Sequence, residues 1–148
     1  MPYSFPNKAP CVYCECIHGL RRIHIIDSSD LAMTALNPRQ RSKGALLVFP
    51  KTHFTHLTET PDEVLFSLME LIDKSHKLLV KKYSPDGVYV FINAGIKAGQ
   101  SEDHMHFQII PRYKDVEYSF ERSRAFERSS FEDLEPLAKE IKHSLEEK

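Results

Sequence analysis

The segment Asp103-His104-Met105-His106-Phe107-Gln108-Ile109-Ile110-Pro111-Arg112 constrains this chain more than any other, because polar and large apolar residues alternate along it. In an extended strand successive side chains point to opposite faces, so His104, His106 and Gln108 fall on one face and Met105, Phe107 and Ile109 on the other. A sheet that buries the second face presents two imidazoles and a carboxamide on the first. A half-exposed strand with incidental histidines satisfies the same alternation, although such strands favour Thr, Lys or Glu at their polar positions. Just upstream, the β-forming run Val88-Tyr89-Val90-Phe91-Ile92 leads into Asn93-Ala94-Gly95-Ile96-Lys97-Ala98-Gly99-Gln100-Ser101. Its two glycines let the backbone come close to a ligand, the pattern of a phosphate-cradling turn.

Joined, these residues read Asn-x-Gly-x-x-Ala-Gly-Gln-Ser-x-x-His-x-His-x-Gln-x-x-Pro-Arg, which closely resembles the signature of the histidine triad (HIT) superfamily of nucleotidyl hydrolases and transferases. The commonest family pattern ends on a third histidine where Gln108 stands. The glutamine is similar to the nucleotidyltransferase branch, which includes hexose-1-phosphate uridylyltransferases and dinucleoside polyphosphate phosphorylases. The resemblance covers Cys11 to about Tyr113. It implies an α+β HIT-like fold, an antiparallel sheet of about five strands with one long helix packed on it and a C-terminal helix. It also implies a homodimer.

A chain of 148 residues buries a sizeable core as one domain, here a core of about residues 11–113 and a helical extension of about 130–147. The longest apolar runs, Ala45 to Phe49 and Val88 to Ile92, fall far short of a membrane span, and the N-terminus lacks a secretory layout. A cytoplasmic location is expected. The formal net charge of -1 argues against a general nucleic-acid binder and for a small-molecule partner.

Cys11-Val12-Tyr13-Cys14-Glu15-Cys16 is too clustered to staple a fold, and its Cys-x-x-Cys pair suits a metal, a redox couple or neither. In zinc-containing histidine triad proteins the two further ligands are a histidine after Pro-Lys-x and the first triad histidine. By that resemblance Cys11, Cys14, His53 (in Pro50-Lys51-Thr52-His53) and His104 form a Cys2His2 site. Two thiolates and two imidazoles leave no open position, so the zinc is structural. Cys16 and His56 are read as non-ligands.

Residues Arg22 to Ile26 and Leu31 to Leu36 read as a hairpin around Asp27-Ser28-Ser29-Asp30, and Gly44 to Phe49 as a third strand. Thr60-Pro61-Asp62-Glu63 predicts an N-cap, a first-turn proline and a capping-box acid. Leu65, Leu68, Leu71, Ile72, Leu78 and Leu79 recur at helical spacing to about Tyr83, before Pro85-Asp86-Gly87 turns the chain into the next strand. Leu134, Leu137, Ile141 and Leu145 predict a C-terminal helix; Asp133 is the expected cap, because Ser130 would place Pro136 beyond the first turn. Tyr118, Phe120, Arg122 and Arg124 sit in a stretch, Val116 to Arg128, read as a surface connection.

The resemblance makes His106 the nucleophile that attacks the α-phosphorus of a nucleotide, giving a nucleotidyl-histidine intermediate. Asn93, Gly99, Gln100 and Ser101 are the expected phosphate and nucleotide binders. Gln108 hydrogen-bonds but cannot titrate, which favours leaving groups that need no proton, such as nucleoside phosphates, over amines. Two features depart from the family pattern. Ala35 stands where many members place a ribose-binding aspartate. The loop Asn37 to Ala45 is longer and basic, so Arg39, Arg41 and Lys43 either recognise extra phosphates or form a solvated face. The function these readings favour is a nucleotide hydrolase or nucleotidyltransferase acting on a dinucleoside polyphosphate-like phosphoanhydride. The alternatives are a nucleotide-binding regulator with little turnover and a zinc-stabilised interaction module.

Overall fold

Short runs rich in Val, Ile, Leu and Phe build five strands. In the computed structural model, which describes residues 3–7, 9–114 and 127–147, they form one antiparallel sheet. In chain order these are β1 (Ile25–Ser28), β2 (Ala32–Leu36), β3 (Leu46–Pro50), β4 (Gly87–Ile92) and β5 (Phe107–Arg112). They lie side by side in the order β1-β2-β3-β5-β4, so the signature strand β5 is paired on both edges. Helices α1 (Val12–Ile17), α2 (Asp62–Tyr83) and α3 (Phe131–Glu146) complete the α+β fold, with 3-10 turns at Leu57–Glu59 and Ile96–Ala98. No described helix is long and apolar enough to cross a membrane.

The two faces of the sheet serve different ends. Alternate residues of β3, Leu46 and Val48, join Leu36, Met105, Ile109 and the buried stripe of α2 in the main core, to which α3 adds Leu134, Ala138 and Ile141. Each such leucine or isoleucine contributes about 1.5–3 kcal/mol by leaving water. The intervening residues, Leu47 and Phe49, turn to the opposite face and pack with Tyr13 of α1 and Ala35 of β2. One short helix covers only part of that second face. Strand register lines up Ala35, Leu47 and Gln108 as a row across β2, β3 and β5 on it.

Tertiary contacts shift several expected boundaries. The hairpin turn is narrower than residues 27–30 and lies at residues 29–31, because Asp27 and Ser28 stay in β1 and pair with Thr34 and Met33. The Ser29 hydroxyl accepts from the N–H groups of Leu31 and Ala32 at 3.2 and 3.0 Å, so it makes the turn itself. β1 begins at Ile25 rather than Arg22. The capping box at α2 does not form either, because the Thr60 hydroxyl is turned to the His56 carbonyl and the Met105 sulfur. At α3, Ser130 is the cap, accepting from Asp133 N–H at 3.0 Å, and Pro136 lies inside the helix. Phe131 explains this outcome. Its ring stacks on His24 at 3.8 Å and its carbonyl accepts from His24 Nε2 at 2.7 Å, which pins the first turn. The bond lost at Pro136 belongs to the carbonyl of exposed Glu132, which water can satisfy. Tyr118, Phe120, Arg122 and Arg124 lie outside the described residues.

Candidate active site

β5 proper starts at Phe107, so His104, Met105 and His106 form its approach rather than its first residues. The alternation survives. Met105 is buried in the main core, while His104 and His106 both stack on Tyr13 across the other face, at 5.3 and 4.9 Å between centroids. The Met105 N–H donates to the Phe54 carbonyl at 2.7 Å, which ties this approach to the segment carrying His53.

Four soft and borderline donors converge beside it. Cys11 caps α1, its sulfur accepting from the Cys14 N–H at 3.4 Å, which turns both sulfurs to the same side. Cys11 Sγ and Cys14 Sγ lie 3.5 and 3.7 Å from His104 Nδ1, and Cys14 Sγ lies 3.5 Å from His53 Nδ1. A tetrahedral zinc with sulfur at about 2.3 Å and nitrogen at about 2.0 Å sets S–N edges of about 3.5 Å, so the donor set fits the metal. The outer contacts fit as well. His104 Nε2 donates to the Pro50 carbonyl at 2.8 Å, which leaves Nδ1 as the lone pair, and Asp103 Oδ2 stands 3.8 Å from His53 Nε2. Burial pushes His104 down to about 4, keeping it neutral as a ligand must be. Burial and the Cys11 sulfur push the Cys14 thiol up to about 11, a cost that a bound cation removes. Cys16 and His56 stand outside the cluster: Cys16 lines the neighbouring cavity, and His56 stacks on Phe5 at 4.6 Å.

His106 faces that cavity, which holds about 230 Å³. Its Nδ1 lies 2.9 Å from the His104 carbonyl, an atom that only accepts, so Nδ1 carries the proton and Nε2 the lone pair. Burial holds its pKa below the usual imidazole value. Geometry thus fixes a neutral ring with its lone pair on Nε2, and burial favours that form. Gln108 lies on the same wall, its side-chain oxygen accepting from Arg41 Nη1 and from Asn37 Nδ2. Arg21, Arg22, Arg39 and Arg128 also line the cavity, with Glu102 as its one carboxylate among the lining residues.

Of the four expected phosphate binders, only Ser101 is on the cavity wall. Gln100 is buried and its amide is fully engaged: Oε1 accepts from the Gly95 N–H at 2.8 Å, and Nε2 donates to the carbonyls of Thr55 and Glu102 at 3.0 and 2.9 Å. It organises the turn from within. The Gly99 N–H is spent on the Ile96 carbonyl, and Asn93 is not a lining residue. Gly95 is required for a different reason than ligand approach. At φ 91° it lies under the Tyr3 ring, where a Cβ would come within 2.5 Å of a ring carbon. Lys43 also leaves the expected set, since its amine sits 3.5 Å from Glu140 and over the Tyr83 ring. Ala35 is wholly buried against Tyr13, Leu47 and Phe49 and offers no polar contact at the place expected to bind a ribose.

Sequence reasoning missed the arginines at positions 21, 22 and 128, and Phe131. No spacing links them, because they meet only where α3 docks on β1; the Arg22 guanidinium lies 4.4 Å over the Phe131 ring.

Residues 22–115 match the HIT domain family. An uncharacterized HIT-like protein of Methanocaldococcus jannaschii is 35% identical over 104 residues, which span 70% of this chain and 80% of that protein. An adenosine 5'-monophosphoramidase of Schizosaccharomyces pombe is 31% identical over 102 residues, 69% of this chain and 74% of its own length. The crystal structure of a zinc-bound histidine triad family protein from Mycobacterium smegmatis is similar at a TM-score of 0.78 and 26% identity, covering 92% of this chain and 93% of that one. A match of this extent, on a five-stranded sheet whose β5 is approached by the two signature histidines, settles the ancestry: this chain belongs to the HIT domain family.

Proposed function

We propose that this protein is a nucleotide hydrolase or nucleotidyltransferase that cleaves a phosphoanhydride, of the dinucleoside polyphosphate kind, at the α-phosphorus. The observation that carries the reading is the His106 ring: Nδ1–H is held on the His104 carbonyl at 2.9 Å and Nε2 is left as a lone pair on a cavity wall rich in guanidinium groups. Attack forms an Nε2–P bond and breaks the bridging P–O bond, whose electron pair leaves on the oxygen. Water or another acceptor then displaces the histidine. In this reading Ser101, exposed and on the cavity wall, contacts the phosphoryl group. Arg21 and Arg22 are already paired with Glu15 and Glu132, and the lining guanidinium groups that balance the charge of a substrate carrying several phosphates are those of Arg39, Arg41 and Arg128. A relative whose name states action on an adenosine 5'-monophosphoramidate supports chemistry at that phosphorus.

Cys11, Cys14, His53 and His104 would hold the zinc, which supplies a structural bond between the N-terminal segment and the approach to β5. The sheet edge at β4, with Tyr89 and Val90 exposed, suits pairing with a second copy.

Mixing the protein with a labelled dinucleoside polyphosphate and quenching in alkali tests the assignment, since phosphorus bound to a histidine nitrogen survives base. A labelled adduct in the wild type, absent in His106→Ala, is expected. Turnover that persists in His106→Ala refutes it.

A further inference from the structure

Gln108 stands in a site that must stabilise a departing oxygen without moving a proton, and the orientation of its amide decides which atom it offers. Its backbone is fixed from both sides, opposite Leu47 of β3 and Phe91 of β4. An amide presents an oxygen at one end and two N–H donors at the other, and these ends are interchangeable unless neighbours choose. Here they choose. A guanidinium can only donate, so the atom facing Arg41 Nη1 is the oxygen. Asn37 makes the same choice from a second direction. Its Oδ1 accepts from the Arg39 N–H at 2.9 Å, which leaves its own Nδ2, 3.5 Å from Gln108 Oε1, as a donor. Both contacts come from the basic loop between β2 and β3. With the oxygen held toward that loop, the Nε2–H2 end carries the donors that Gln108 has to offer in the cavity it lines together with His106.

Resting on the assignment of His106 as nucleophile, we propose that Arg41 is a positioning residue that acts through Gln108. It turns the amide so that an N–H meets the leaving oxygen and polarises it with a permanent charge. The site is thereby specific for leaving groups that depart as anions. In the step itself the His106 Nε2–P bond forms, the P–O bond breaks, and the electron pair stays on the departing oxygen. That oxygen is met by a hydrogen bond and no proton is transferred. A hydrogen bond backed by a cation is stronger than a neutral one, so losing the pair costs more than losing an ordinary amide contact.

The test uses nucleoside 5'-phosphate aryl esters whose phenols range from strongly to weakly acidic. Arg41→Gln is expected to lower kcat about a hundredfold for the poorest leaving group and less than about tenfold for the best, with KM little changed. Adding Gln108→Ala to Arg41→Gln is expected to slow the enzyme no further, because one residue works through the other. If Arg41→Gln melts early, Gln108→Glu carries the test: it keeps an oxygen for the guanidinium but has no N–H, and the same dependence on leaving group is expected. Equal slowing across the series, losses that multiply in the double variant, or a change in KM alone each overturn the proposal. A wild type that forms no alkali-stable adduct removes the His106 assignment and this inference with it. An adduct that forms normally beside an unchanged leaving-group dependence removes the inference alone.

Discussion

Replacing Gln100 with alanine separates a residue that builds the turn from one that binds phosphate. The side chain makes three hydrogen bonds, to the Gly95 N–H and to the carbonyls of Thr55 and Glu102, between 2.8 and 3.0 Å. At about 1 kcal/mol net each, their loss costs about 3 kcal/mol. The Gly95 N–H is then stranded beneath the Tyr3 ring, and an unpaired buried donor adds about 1–2 kcal/mol. The expected destabilisation is therefore about 4–5 kcal/mol. For a chain of 148 residues each kcal/mol moves Tm by about 2–4 °C, so the melting point falls by about 10 °C or more. Urea denaturation followed by circular dichroism measures the first quantity and a thermal scan the second. A phosphate-binding role predicts the reverse pattern, with stability kept and KM raised. A loss below about 1 kcal/mol together with weakened nucleotide binding refutes the reasoning.

Three further outcomes follow from the same geometry. Metal analysis of the purified protein is expected to find one zinc per chain, and Cys14→Ser to lose it along with part of the thermal stability; a Cys14→Ser protein that keeps full zinc contradicts the ligand set. Gln108→His is expected to raise hydrolysis of nucleoside phosphoramidates, because an imidazole can protonate a departing amine; unchanged turnover counts against the assigned role of Gln108. The Tyr83 hydroxyl, 3.0 Å from Glu140, holds that carboxyl below its usual value, so the contribution is present above the unfolded carboxylate pKa and lost as pH falls through the lower folded one. Tyr83→Phe is thus expected to lose at most about 1 kcal/mol at neutral pH and to differ less from wild type in acid; a stability gap that widens on acidification, measured by denaturant titration, reverses the sign and the assignment.

Periodicity and spacing in the chain were sufficient for part of this. Alternation along residues 104–109 put His104, His106 and Gln108 on one face whether or not the strand itself began at Phe107, since the direction of successive side chains follows from extended backbone alone. The apolar stripe of α2 was legible from Leu65 to Leu79 for the same reason, being a property of one helix. Contacts between distant segments were not legible. Thr60 abandons its cap for Met105, 45 positions away, and Ser130 takes the α3 cap because Phe131 is pinned by His24, 107 positions away. Gln100 turns inward to its own loop, and arginines from β1's approach, the β2–β3 loop and the segment before α3 meet around one cavity. Local pattern settles which way a side chain points relative to its neighbours in the chain. Only packing settles what it meets, because the burial of many weakly specified groups at once outweighs the roughly 1 kcal/mol that a cap or a turn hydrogen bond is worth.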